Sequence, residues 1–151
     1  EMHRAGDGPH MTLAHEIGHF LDHQGIGSKD WSSTNPKFAG LYAKWQRAVD
    51  NSPPTASLRT LAAGPDRVTI GTRSIPVDKT HVNYLLDPKE QFARSYAQWI
   101  AVRSGNRKML EELAALQKHR FYQYHWADED FHEIASALDE VFRALGWLNH
   151  A

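Results

Sequence analysis

The residues best suited to chemistry are crowded into one short stretch, His15-Glu16-Ile17-Gly18-His19. On a helix, side chains four positions apart lie one above the other on a single face. His15 and His19 would then offer two imidazole nitrogens to one metal ion. Glu16 leaves such a helix about 100° round from His15, beside that ion, where its carboxylate can hold a water and take its proton. Two histidines and a base at this spacing are the parts of a metal-assisted hydrolysis, with zinc as the expected ion. The chain carries ten histidines in 151 residues, so the motif needs support from its surroundings. Thr12–Gln24 reads as an amphipathic helix that provides it. Thr12 stands at the N-cap position, Met11, Ala14, Gly18 and Leu21 fall on one side, and Gly25 and Gly27 end the helix.

Two histidines do not complete the site. A catalytic zinc takes three protein ligands and keeps one position for water. The extended pattern H-E-x-x-H-x-x-G-x-x-H is excluded, because Asp22 stands at its glycine position and Gly25 at its third histidine. One further arrangement known for such motifs is a glutamate from a later helix packed against the first. Glu90 is the candidate, in Asp87-Pro88-Lys89-Glu90-Gln91-Phe92-Ala93-Arg94. Glu90, Ala93 and Ala97 share a helix face, and the alanines admit a close neighbour. Ala14 and Gly18 offer a matching small surface, which makes a glycine inside a helix intelligible. A competing use of Glu90 is local, since Asp87-x-x-Glu90 is also a capping box. Asp22, His81, Asp87, Glu111, His125 and His132 stand as further ligand candidates. Asp22, three residues after His19, is better placed to orient a ligand histidine by a hydrogen bond.

The elements that must position these groups follow from periodicity and turn residues. After the motif helix comes a loop over Gly25–Thr34, then a helix from Asn35-Pro36 to about Asn51. Ser52–Asp66, with three prolines and Gly64, reads as a connector with at most a short helical turn. Val68–Ile70 and Arg73–Ile75 flank Gly71-Thr72 as a β-hairpin. Pro76–Tyr84 reads as a loop or short strand. Helices are expected from Asp87-Pro88 to Arg103, over Arg107–Lys118 and over Asp128–Leu145, with Phe121–Trp126 a packed aromatic loop. The expected fold class is α+β, predominantly α-helical, with the motif helix packed on the Glu90 helix and a small hairpin.

Composition narrows the remainder. At 151 residues the chain is expected to form a single domain, 1–151. A net charge of −1 gives no electrostatic case for nucleic acid or an anionic membrane as partner. With no cysteine there is no disulfide, no thiolate zinc site and no cysteine nucleophile. No apolar run approaches a membrane span, and Glu1–His10 lacks the apolar core of a signal peptide.

HEIGHFLDH and EQFARSYAQW together resemble the gluzincin metallopeptidases of the anthrax lethal factor type. The pair is also similar to peptidase domains of phage head proteins and bacterial polymorphic toxins. The resemblance implies a zincin-like fold, a zinc ion on His15, His19 and Glu90, Glu16 as general base, and a protein or peptide substrate. It further implies that Tyr84, shortly before Glu90, steadies the oxyanion of the transition state, with His81 as the alternative contact. Zincins place a small sheet ahead of the motif helix. Here only 14 residues precede His15, so the expectation is a fragment of a longer polypeptide whose other domains are further partners. Zincins also bind substrate along an edge strand, expected here near Glu1–Ala5 or the Val68–Ile75 hairpin.

Overall fold

A computed structural model describes residues 8–21, 36–118, 121–123, 125–144 and 146. In chain order these form α1 (Pro9–Phe20), α2 (Pro36–Asp50), α3 (Pro53–Ala63), β1 (Arg67–Ile70), β2 (Arg73–Pro76), α4 (Lys79–Leu86), α5 (Pro88–Ser104), α6 (Arg107–Gln117) and α7 (Asp128–Ala144). The described residues are thus mostly helical, with one two-stranded antiparallel sheet, in line with the α+β expectation. None of their helices is long and apolar enough to cross a membrane.

Four helices (α1, α2, α3 and α5) begin on a proline. The ring presets the helical φ, and the missing N–H is one the first turn does not use. The hairpin pairs Val68 with Ile75 and Ile70 with Arg73, around Gly71 at φ 63°. That positive φ suits a residue without a Cβ.

Helix α5 is the element around which the others pack. Every residue from Glu90 to Trp99 is buried, as is Ala101. On one side Met11 and Ala14 of α1 meet Ala97 and Ala101 of α5 and Met109, Leu113 and Leu116 of α6. On the other, Phe92, Tyr96 and Trp99 of α5 join Trp45 and Val49 of α2 and the inward face of α7. A helix buried on all sides would ordinarily be apolar all round, yet α5 carries Gln91, Arg94, Ser95 and Gln98. Each has a partner. Ser95 Oγ accepts from Trp45 Nε1 at 3.0 Å. Gln98 grips the backbone of Trp126, donating to its carbonyl at 2.8 Å and accepting its N–H at 3.2 Å. Gln91 accepts from Gln46, and Arg94 donates to the Leu85 carbonyl at 2.6 Å. Buried polar groups paired in this way avoid the desolvation penalty and fix one packing arrangement.

Several expected boundaries are corrected. Helix α1 begins at Pro9, not Thr12, so Pro9 opens a helix where a Gly-Pro turn was expected; residues 1–7, where the end of an edge strand was expected, lie outside the described residues. Gly8 is the N-cap, and the Thr12 hydroxyl is buried within the helix with no hydrogen bond among the described residues. The end of the motif helix beyond Leu21, the Gly25–Thr34 loop, Asn35 and Leu145 also lie outside them. Ser52–Asp66 contains the full helix α3. Pro53 and Pro54 occupy its first positions, where proline is tolerated, and Leu58 anchors it against Val77, Val82 and Leu85. Where Pro76–Tyr84 was expected as a loop or short strand, Pro76 ends β2, Val77 and Asp78 form a short link, and Lys79–Tyr84 lies in helix α4. Asp78 caps that helix by accepting the His81 N–H at 3.0 Å, and this side-chain cap overrides the β-branched Thr80 and Val82.

The small-residue contact expected between the motif helix and the Glu90 helix is present. A Cβ built on Gly18 would lie 3.0 Å from Ala93 Cα and 3.2 Å from Tyr96 Cδ2. Gly18→Val is therefore expected to lower stability by about 1–3 kcal/mol through overpacking, a fall in Tm of roughly 3–10 °C. Gly40 in α2 is the control, because a Cβ there meets nothing within 4 Å. Gly40→Ala is expected to stabilise by about 0.5–1 kcal/mol. Thermal unfolding of both variants checks the pair, and equal effects would contradict the close approach.

Candidate metal centre

The site is made where α1 crosses the first turn of α5. Asp87 is shared by two helices: it ends α4, and it caps α5 by accepting the Lys89 N–H at 2.9 Å. Its own N–H donates to the Tyr84 carbonyl at 3.1 Å. In a capping box that N–H would be the target of Glu90. With it already satisfied, Glu90 turns toward α1. His15 Nε2 lies 3.1 Å from Glu90 Oε1, and His19 Nε2 lies 2.8 Å from Oε2. The two imidazoles meet edge to face, 4.9 Å between centroids.

Burial by itself pushes the Glu90 carboxyl up. Hydrogen bonds from His15, His19 and Tyr84, together with the charge of His19, outweigh it and hold the group well below the usual carboxylate range. The cluster is reachable from solvent, since the side chains of His15 and His19 remain 23% and 31% exposed.

The N-terminal end of α1 is held from a distance. Glu112 of α6 accepts the Met11 N–H at 2.8 Å and pairs with His10 Nδ1. It thereby satisfies one of the first-turn N–H groups that no residue of α1 can reach. A Cβ on Gly8 would come within 2.6 Å of the Glu112 carboxyl, and Gly8 sits at φ 80°, so both space and backbone call for glycine.

His15, His19 and Glu90 could hold a metal ion, because one donor atom from each lies within 4.8 Å of the others. At zinc bond lengths, neighbouring donors of a tetrahedron stand about 3.4 Å apart. The histidine–carboxylate contacts of 3.1 and 2.8 Å, each to a different oxygen of Glu90, are close to that separation. Two neutral nitrogens and one carboxylate also suit a borderline-soft divalent ion. Among the described residues no other group of this kind forms.

The remaining candidates are placed elsewhere. Glu16 is exposed on α1, next in sequence to His15. Asp22 lies outside the described residues. Asp87 is a helix cap, and Glu111 pairs along its own helix with Arg107 at 3.6 Å. His125 packs by Trp126, and His132 lines a surface groove with Lys44 and Arg47 between α2 and α7. Tyr84, on α4, hydrogen-bonds Glu90 itself. His81 stacks on Tyr84 at 6.2 Å and meets Tyr122 edge-on at 5.1 Å. The support from Glu112 had no sequence signal, because it joins residues 101 positions apart.

Compared with family models, curated proteins and solved structures, the chain matches none.

The electrostatics of Glu90 predict how the metal-free protein responds to acid. The folded-state pKa is depressed, so the stabilisation is fully present above the ordinary value of 4.5 and is lost as pH falls below it. In chelator, urea unfolding of the wild type should lose stability more steeply below pH 4.5 than that of Glu90→Gln. Parallel curves would show that the carboxylate is not held by the histidines.

Proposed function

We propose that the protein is a zinc-dependent metallopeptidase of gluzincin type, with His15, His19 and Glu90 as ligands and Glu16 as general base. The observation that carries this reading is the convergence of the Glu90 carboxylate on both motif histidines. The exposed Glu16 beside them supports it, as does the close approach of Gly18 to Ala93, which brings the helix of the two histidines against the helix that bears Glu90. When bound, zinc would supply a Lewis acid that lowers the pKa of a water toward about 7 and polarises the scissile carbonyl.

The chain's own residues divide the remaining work. Glu90 fixes the angle between the ligand imidazoles. Glu16 takes a proton from the attacking water as the C–O bond forms. It returns that proton to the amide nitrogen as the C–N bond breaks, leaving a carboxylic acid and an amine. The substrate class is a protein or peptide, since the carboxylate-and-zinc pairing suits attack on an unactivated amide.

Zinc at a hundredfold excess over its Kd is expected to stabilise the wild type by about 2.7 kcal/mol, and His15→Ala should abolish most of that gain. Glu16→Gln should keep one zinc per chain yet cleave a mixed peptide library at least about a hundredfold more slowly. Full activity in Glu16→Gln would sink the mechanism.

A second reading has its own observation. Leu13, Ile17 and Phe20 are 60%, 40% and 62% exposed on α1, at spacings that share one face. Such a strip suits a zinc-binding interaction module of a larger phage or toxin polypeptide. Stoichiometric zinc without any cleavage by the wild type would favour the module over the peptidase.

A further inference from the structure

We infer that Tyr84 is a positioning residue for the metal ligand Glu90, rather than a group that contacts the reacting oxyanion. The inference rests on the metal-site reading above and assigns Tyr84 a different task within it. Helix α4 ends two residues after Tyr84, and α5 begins two residues later still, so the corner between them is tight. Three hydrogen bonds fix that corner. The Asp87 N–H donates to the Tyr84 carbonyl at 3.1 Å, Asp87 Oδ1 accepts the Lys89 N–H at 2.9 Å, and the buried Arg94 guanidinium donates to the Leu85 carbonyl at 2.6 Å. The ring is braced from the side by His81, stacked at 6.2 Å with 20° between planes, and His81 is itself buttressed by Tyr122. Tyr122 is tied back to the start of the same helix through its hydroxyl, which accepts the Asp78 N–H at 2.8 Å.

The hydroxyl held by this frame bonds to Glu90. Glu90 has two oxygens and three donors around it: Oε1 faces His15, Oε2 faces His19, and Tyr84 supplies the third. When the imidazoles turn their nitrogens to a metal, both stop donating to the carboxylate. The tyrosine is then the one of these three donors still able to bond it. A ligand carboxylate with a retained hydrogen bond keeps its orientation and stays ionised, and the loss of such a partner typically weakens metal binding about ten- to a hundredfold.

The test is cobalt(II) binding to the full chain, followed by visible absorption and by competition with a chelator of known affinity. Tyr84→Phe keeps the ring and its stacking on His81 and removes only the hydroxyl. Its affinity is expected to fall about ten- to a hundredfold, with a shifted cobalt absorption band. Thermal unfolding in excess chelator should stay cooperative, with a Tm only a few degrees below that of the wild type for the lost hydrogen bond, which shows that the fold is intact. Tyr84→Phe in a Glu90→Ala background should produce no further loss. A Tyr84→Phe protein that binds cobalt within twofold of wild type, with an unchanged spectrum, overturns the inference, whether or not its turnover falls. A wild type that takes up no cobalt or zinc overturns the metal reading and this inference with it, so the two failures are told apart by the wild-type titration alone.

Discussion

The contact on which the rest of the site depends is the approach of Gly18 to Ala93. At that point α1 has no side chain and α5 has only a methyl group, and a Cβ on Gly18 would be 3.0 Å from the opposing backbone. Helices with ordinary side chains at their crossing keep their axes 8–10 Å apart. Small residues shorten the distance, and the short side chain of Glu90 then spans it to both histidines. Packing and chemistry are therefore one constraint: what lets the helices touch also closes the triad.

A helix that accepts neighbours on every side must solve a second problem, which is how to bury polar residues. In α5 this is done by dedicated partners. Trp45 meets Ser95, Gln46 meets Gln91, Leu85 meets Arg94 and the Trp126 backbone meets Gln98. The four bonds link α5 to three neighbouring segments, α2, the end of α4 and the loop at Trp126, so the polar set fixes the rotation of α5 about its own axis. That rotation aims Glu90 at α1. Had these positions been apolar, the helix could slide or turn at little cost, and the carboxylate would lose its address.

Much of this arrangement was legible in the sequence, and the parts that were not share a physical cause. His15, His19, Glu90, Ala93 and Gly18 could be placed on their faces because helical periodicity is local and their spacing is short. The hairpin about Gly71 followed from equally local turn chemistry. The helices α3 and α4 were misread because Pro53, Pro54 and the β-branched residues after Asp78 carry the signals of loops and strands. Their helical state comes from Leu58, Val82 and Leu85 packing on one another, a tertiary gain that outweighs weak propensities. Glu112 at the end of α1 was invisible for the same reason, since its partner Met11 lies in a different part of the chain. Tyr84 was found by its place before Glu90, but its hydroxyl points to the carboxylate itself, which only the turn at Asp87 determines.

The triad also explains why a carboxylate can sit in this interior at all. An ionised carboxylate accepts hydrogen bonds and donates none, so each contact of 3.1 and 2.8 Å to an imidazole needs the proton on Nε2. In that form Glu90 is satisfied from within and the fold does not require a cation. To ligate a metal, both Nε2 atoms must present lone pairs instead, so the protons must leave for Nδ1 or for solvent. Metal and proton thus compete for the same two nitrogens. Glu90 is the acceptor for both imidazoles at the helix crossing, and with them it forms the group that could hold a metal ion.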